Sequence, residues 1–371
     1  MLKTLPVKPK KLGEISRVLT SALASLAGDP NSLQLQPKRM VCVILVDGLG
    51  YHNLQRRSGH APVLTSLPTT KSYTVFPSTT AAALTSLATG LSPGQHGMVG
   101  HVAHDRQLGV TKNLLSGWND VAEAELWKNP PDLSQLFDGN IKIFNVSASE
   151  YQSTGFTAIT MSKSRFVPAD SMRDRFRTAA QLLRDSQNRG AVYLYIQELD
   201  QAGHRHGWQS SQWTKLLEQL DALVEQLILQ LPSDCGIVIT ADHGQIDSPL
   251  SQRHELKADL PHQLRSFAGD SRAAYLYLHQ PDSAEDIHSL IATSGLPAQT
   301  FLTSQIIEAG WFGDSISETA TNRLPDLVML ATGENTLFHS DFSKPRSYLM
   351  TGHHGGLTDQ ELAIPLIRVG F

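Results

Sequence analysis

The sequence predicts an α/β fold: a doubly wound, mostly parallel sheet with helices on both faces, carrying an inserted smaller cap. Three observations predict it. Short, nearly continuous apolar runs recur at Met40–Val46 and at residues 141–146, 191–196 and 236–240, as strands buried on both faces should read. Segments of helical periodicity separate them, at 171–185 and at 212–229, where Leu216, Leu217, Leu220, Leu223, Val224 and Leu227 form one apolar stripe. Strands alternating with such helices build a parallel sheet, whose ligand sites lie at the carboxyl ends of the strands. Third, the stretch 249–345 changes texture, with shorter apolar runs and many loops.

In chain order, a polar lead and a loop at 28–38 precede the Met40–Val46 run, which Asp47-Gly48 ends. Phe76-Pro77-Ser78 then leads into 79–88, a stretch of Ala, Leu, Thr and Ser that closes at Thr89-Gly90. It reads as a short buried helix with a glycine stop. Within 249–345 the clearest elements are strands at 273–278 and 327–330 and a helix near 284–293. The apolar residues 363–367 follow the polar segment TGHHGGLTDQE and return the chain to the main sheet. The expected organisation is a core over 1–248, a cap over 249–345 and a return to the core over 346–371.

Composition narrows the function. The 371 residues carry a net charge of -4 and a pI near 6.4. No basic excess exists to neutralise a nucleic-acid backbone, so a small-molecule substrate is expected rather than a polymer. The two cysteines, Cys42 and Cys235, sit inside strand-like runs and read as core fillers. The basic N-terminal segment lacks the apolar stretch of a signal peptide, and no run approaches the roughly 20 apolar residues of a membrane helix. These features read as a soluble, cytoplasmic protein.

Chemistry-bearing residues cluster after the strand-like runs: Asp47, the Thr79-Thr80 pair, Asp200 with His204, and Asp242-His243. His353-His354 follows in a glycine-flanked loop. Asp200 and His204, spaced i, i+4, face one way on a helical turn and suit one metal ion. Gly244 lets the chain turn beside Asp242 and His243. A threonine hydroxyl at a helix N-terminus sits where N–H groups and the dipole favour a phosphate. Jointly, three carboxylates and three imidazoles satisfy two divalent ions, and paired ions can bind the attacking and leaving oxygens of a displacement at phosphorus.

This order of Asp, Thr at a helix start, Asp-x-x-x-His, Asp-His-Gly and His-Gly resembles the alkaline phosphatase superfamily. More closely it resembles the nucleotide pyrophosphatase/phosphodiesterase branch, with relatives among phosphonoacetate hydrolases. The resemblance spans most of 40–247 and 349–367. It implies an alkaline phosphatase-like sheet and two zinc ions, one on Asp47, Asp242 and His243 and the other on Asp200, His204 and His354. It implies Thr80 as the bridging nucleophile, with Thr79 as the alternative, and His354 rather than His353 as the last ligand. Diesterases of this group place an Asn where His96-Gly97-Met98-Val99-Gly100-His101 puts His101, so His101 is the expected phosphate-binding residue. The implied activity is hydrolysis of phosphodiester or nucleotide pyrophosphate bonds through a phospho-threonine. A phosphomonoesterase or phosphonate hydrolase on the same metals is the alternative, and an inactive metal-binding protein the non-enzymatic one. The Cys/Ser-x-Pro-x-Arg signature of the sulfatase branch is not found.

Overall fold

The structure is a computed structural model that describes residues 12–127, 133, 141–256 and 263–371. Its main sheet has seven strands in the order Thr69–Tyr73, Ala363–Val369, Cys235–Thr240, Met40–Val46, Gly190–Ile196, Lys142–Ser147 and Arg165–Pro168. The last five of these run parallel to one another. Ala363–Val369 runs antiparallel to both of its partners, so the returning chain inserts in the opposite sense between the edge strand Thr69–Tyr73 and Cys235–Thr240. All seven residues of Met40–Val46 are buried, which explains why its sequence is continuously apolar instead of alternating.

Helices cover the faces. Met172–Arg184 and Ser211–Leu229 form where the periodic pattern predicts them, each opened by a serine, Ser171 or Ser210, whose side chain accepts a backbone N–H. The helix Ser16–Ala27 buries Val18, Leu19, Ala22, Leu23 and Leu26 and ends at Gly28 in a left-handed conformation. That helix lies in the segment the sequence reading treats as a polar lead. Its apolar residues recur at three- and four-residue intervals, and small Ser and Ala residues dilute the stripe.

The second sheet has six strands, ordered Ala298–Leu302, Leu327–Ala331, Ala273–Leu278, Leu264–Gly269, Val102–Asp105 and Val110–Asn113, with every pair antiparallel. It therefore draws a hairpin from residues 102–113 as well as strands from 264–331. Gly269 pairs with Val102 to join them. Period-two burial explains how the sheet packs. Ala273, Tyr275 and Tyr277 face the core shared with the main sheet. Ala274, Leu276 and Leu278 face the other way, onto Ile287 and Ile291 of the helix Ala284–Thr293. Among the described residues no helix is long and apolar enough to cross a membrane. Cys42 and Cys235 are buried and unpaired.

Candidate metal centre

The site assembles where three adjacent strands end. Register pairs Leu45 with Thr240, so Asp47 and Asp242 stand side by side just beyond the strands. The Asp47 N–H donates to Ile196 O at 2.9 Å, which ties it to the third strand. Gly48 has φ 74°, and a Cβ there would lie 3.0 Å from Asp200 Cα. Only glycine lets these segments approach so closely. At Gly244 a Cβ would meet Gln360 O at 2.1 Å, so that glycine is fixed by the same requirement.

Two groups of ligand atoms result. Those of Asp47, Asp242 and His243 lie within 4.8 Å of one another, as do those of Asp200, His243 and His354. His243 Nε2 is 3.4 Å from Asp47 Oδ1 and 3.2 Å from Asp242 Oδ2. His204 joins the second group from the helix Glu198–His206, its Nε2 3.3 Å from Asp200 Oδ2 and 3.3 Å from His354 Nε2. His354 Nε2 is 3.9 Å from Asp200 Oδ1, and its ring stacks on His243 at 3.6 Å between centroids. Backbone carbonyls orient both imidazoles: His204 Nδ1 donates to Gly352 O at 2.8 Å and His354 Nδ1 to Ser78 O at 2.9 Å. In the neutral ring, the form that binds a metal, each Nε2 then faces the cluster as an acceptor.

The electrostatics are those of a crowded anionic site. Burial, and then the charges of Asp242 and Asp200, push the Asp47 carboxyl well above the usual carboxylate range. Burial opposes ionisation of Asp200, but the adjacent His204 holds its carboxyl below the ordinary value. Burial likewise works against a charged His204, yet the Asp200 carboxylate carries it up to about 9. His354, buried and beside His243, is held well below the usual imidazole range. Asp47 Oδ1 and Asp242 Oδ2 are buried and accept no hydrogen bond. Buried carboxylate oxygens of that kind call for a cation, and carboxylate with imidazole is a donor set suited to zinc or a similar divalent ion. The residues fit two such ions.

The helix Thr80–Thr89 enters this centre at its N-terminus. All ten of its residues are buried, which its uniform content of Ala, Leu, Thr and Ser permits. Thr80 Oγ1 lies 3.1 Å from His243 Nε2. Thr79, the N-cap residue, turns a buried hydroxyl that makes no hydrogen bond. Of the paired histidines, His354 meets the cluster. Both nitrogens of His353 are engaged elsewhere, Nδ1 with Ser271 Oγ at 2.8 Å and Nε2 with Met350 O at 3.0 Å.

His101 Nε2 is 2.8 Å from Asn113 Nδ2. The amide orientation follows from Asn113 Oδ1, which accepts the N–H groups of Leu115 and Ser116. Nδ2 must then donate to His101, which leaves the imidazole proton on Nδ1. Burial lowers the His101 pKa, so this histidine is a neutral donor and adds no positive charge.

Three residues of the site escape sequence reasoning. Tyr195 donates its hydroxyl to Asp47 Oδ2, Gln245 Nε2 donates to Asp200 Oδ1, and Asn113 fixes His101. Only Tyr195 leaves a sequence signal, since Tyr193 and Tyr195 alternate on one face of an otherwise aliphatic strand. That face borders a cavity of about 410 Å³ lined by Leu84, Trp118, Tyr151, Phe156 and Tyr195, among others. Trp118 and Phe156 thus border open space. Trp127 is buried beneath the Arg323 guanidinium, 4.2 Å from its ring centroid.

Comparison with known proteins places this arrangement. The family described as type I phosphodiesterase / nucleotide pyrophosphatase matches residues 41–357. Human ectonucleotide pyrophosphatase/phosphodiesterase family member 1 is 27% identical in an alignment of 214 residues that covers 54% of this chain. The chain matches only 23% of that relative's length. Murine ectonucleotide pyrophosphatase/phosphodiesterase 5 superposes with a TM-score of 0.67 at 17% identity, covering 88% of this chain and 87% of its own. Phosphonoacetate hydrolase from Sinorhizobium meliloti 1021, in complex with phosphonoacetate, gives 0.67 at 17% identity, over 89% of this chain and 90% of its own. These likenesses establish the alkaline phosphatase-like fold.

Proposed function

Because the chain belongs to the type I phosphodiesterase / nucleotide pyrophosphatase family, we propose that it hydrolyses phosphodiester or nucleotide pyrophosphate bonds through a phospho-threonine on Thr80. The observation that carries this reading is the Thr80 hydroxyl at 3.1 Å from His243 Nε2, the imidazole shared by both groups of ligand atoms. Asp47, Asp242 and His243 would hold one zinc ion, and Asp200, His204 and His354 the other. When bound, the ions lower the pKa of the attacking hydroxyl and neutralise charge on the phosphoryl group.

The chain's own residues do the rest. Thr80 Oγ1 gives up its proton and forms a bond to phosphorus, and the leaving group departs with the electrons of the broken P–O bond and takes up a proton to leave as the alcohol or phosphate. Water then cleaves the phospho-threonine and restores the hydroxyl. The N-terminus of the Thr80–Thr89 helix turns its dipole toward the phosphoryl oxygens. His101, fixed as a neutral donor by Asn113, supplies a hydrogen bond from Nδ1 to one of those oxygens. The aromatic cavity beside Tyr195 receives the organic group that stays on the phosphoryl.

Replacing Thr80 by Ala is expected to lower turnover of bis(p-nitrophenyl) phosphate by about 10³-fold or more. Undiminished turnover with zinc present overturns the assignment. His101 in place of an amide favours a second reading, attack on monoesters or phosphonates, whereas a 410 Å³ cavity exceeds what a small phosphonate fills. Comparing kcat/KM for p-nitrophenyl phosphate and the bis-ester separates the two, and a strong monoester preference reverses our choice. We also infer a cytoplasmic location from the unpaired Cys42 and Cys235, which cell fractionation tests.

A further inference from the structure

Two charged side chains with no exposed surface meet beside the metal centre. Arg272 lies in the turn between the strands Leu264–Gly269 and Ala273–Leu278 of the second sheet, and Glu361 in the short helix Asp359–Leu362 of the returning chain. Both side chains are 0% exposed. They pair through two bonds, Nε to Oε1 and Nη2 to Oε2, each 3.1 Å. Nη1 completes the fork on Asn335 O. A planar guanidinium matched to a carboxylate at two points fixes direction as well as distance.

The carboxylate's remaining capacity is spent on the segment that carries His354. Glu361 Oε1 accepts the Gly356 N–H at 2.8 Å, and Oε2 accepts the Thr358 hydroxyl at 2.6 Å. The turn holding Arg272 touches the same segment twice more. Ser271 Oγ meets His353 Nδ1 at 2.8 Å, and a Cβ at Gly355 would lie 3.0 Å from Asp270 Cβ. From the other side Ser78 fixes it, donating from Oγ to Gly356 O at 2.9 Å and accepting the Gly355 N–H at 3.1 Å.

We propose that Arg272 and Glu361 are positioning residues: a brace by which the second sheet sets the place of His354. Its metal consequence rests on the two-ion reading above. The link from Glu361 to the other ion's segment runs through its backbone, whose oxygen accepts the Gly244 N–H at 2.8 Å. Side-chain substitution therefore leaves that link in place and acts on 352–358.

The test compares the full-length parent with Glu361→Gln, Arg272→Lys and the double apolar variant Arg272→Met/Glu361→Leu. The apolar pair matters because well-packed hydrophobic replacement of a buried ion pair often preserves global stability, while it deletes the bonds to Gly356 and Thr358. Amide hydrogen exchange is measured without metal over peptides spanning 350–358 and 240–248. The expected result is exchange at least about 10-fold faster over 350–358, with 240–248 unchanged, in a variant that still melts cooperatively. Unchanged exchange over 350–358, or equal acceleration of both peptides, overturns the brace. Zinc retained after dialysis against a chelator is the second readout, with one ion of two held roughly 10- to 100-fold more weakly. Two ions held as in the parent overturn the brace. A parent that takes up no zinc contradicts the two-ion reading instead, and leaves the exchange result to decide the brace.

Discussion

Tyr195→Phe removes one oxygen atom from the site and should weaken one metal position. The hydroxyl donates to Asp47 Oδ2, and the Asp47 side chain is 4% exposed. Burial, and then the charges of Asp47 and Asp242, push the Tyr195 phenol well above its ordinary range, so it stays a donor at every working pH. A hydrogen bond to a charged group contributes about 1.5–3 kcal/mol, which corresponds to about 10- to 140-fold in affinity. The retained ring still meets Tyr151 at 5.8 Å and Tyr193 at 6.3 Å, which separates the hydrogen bond from packing around the cavity. Competitive titration with a zinc-binding indicator should show the ion on Asp47, Asp242 and His243 weakened by that factor and the second ion nearly unchanged. A change under about twofold, or equal weakening of both ions, refutes the reasoning.

Two further outcomes depend on pH. Glu361 is buried, which alone would raise its pKa, but Arg272 holds it below the ordinary 4.5. A carboxyl more acidic when folded than when unfolded stabilises fully above about pH 4.5 and loses that contribution as pH falls through the folded value. The melting temperature of the parent should therefore drop more steeply than that of Glu361→Gln as pH is lowered from about 5 to 3, and parallel curves would contradict the pairing. His204 carries its proton up to about pH 9 in the metal-free protein, so zinc uptake at pH 8 should release a proton that calorimetry in two buffers of different ionisation enthalpy detects. Uptake without proton release would show that His204 is not a ligand.

The main sheet was legible because its strands are buried on both faces, and burial writes itself into sequence as unbroken Val and Ile. Met40–Val46 was read residue for residue. The clustering of carboxylates was legible because Asp47, Asp200 and Asp242 follow strands that the topology sets side by side. What escaped depends on contacts distant in sequence. The 102–113 hairpin joins the second sheet through the pairing of Gly269 with Val102, which no local pattern announces. Arg272 and Glu361 lie 89 positions apart, and each alone looks like a solvated charge. Asn113 resembles any turn residue until its amide is seen to hold His101.

The most direct test is anomalous diffraction from crystals grown with zinc. The account predicts two peaks, one ligated by Asp47, Asp242 and His243 and the other by Asp200, His204 and His354, with Thr80 Oγ1 in contact with both ions. A single peak, or two peaks that leave Thr80 outside their coordination, contradicts it.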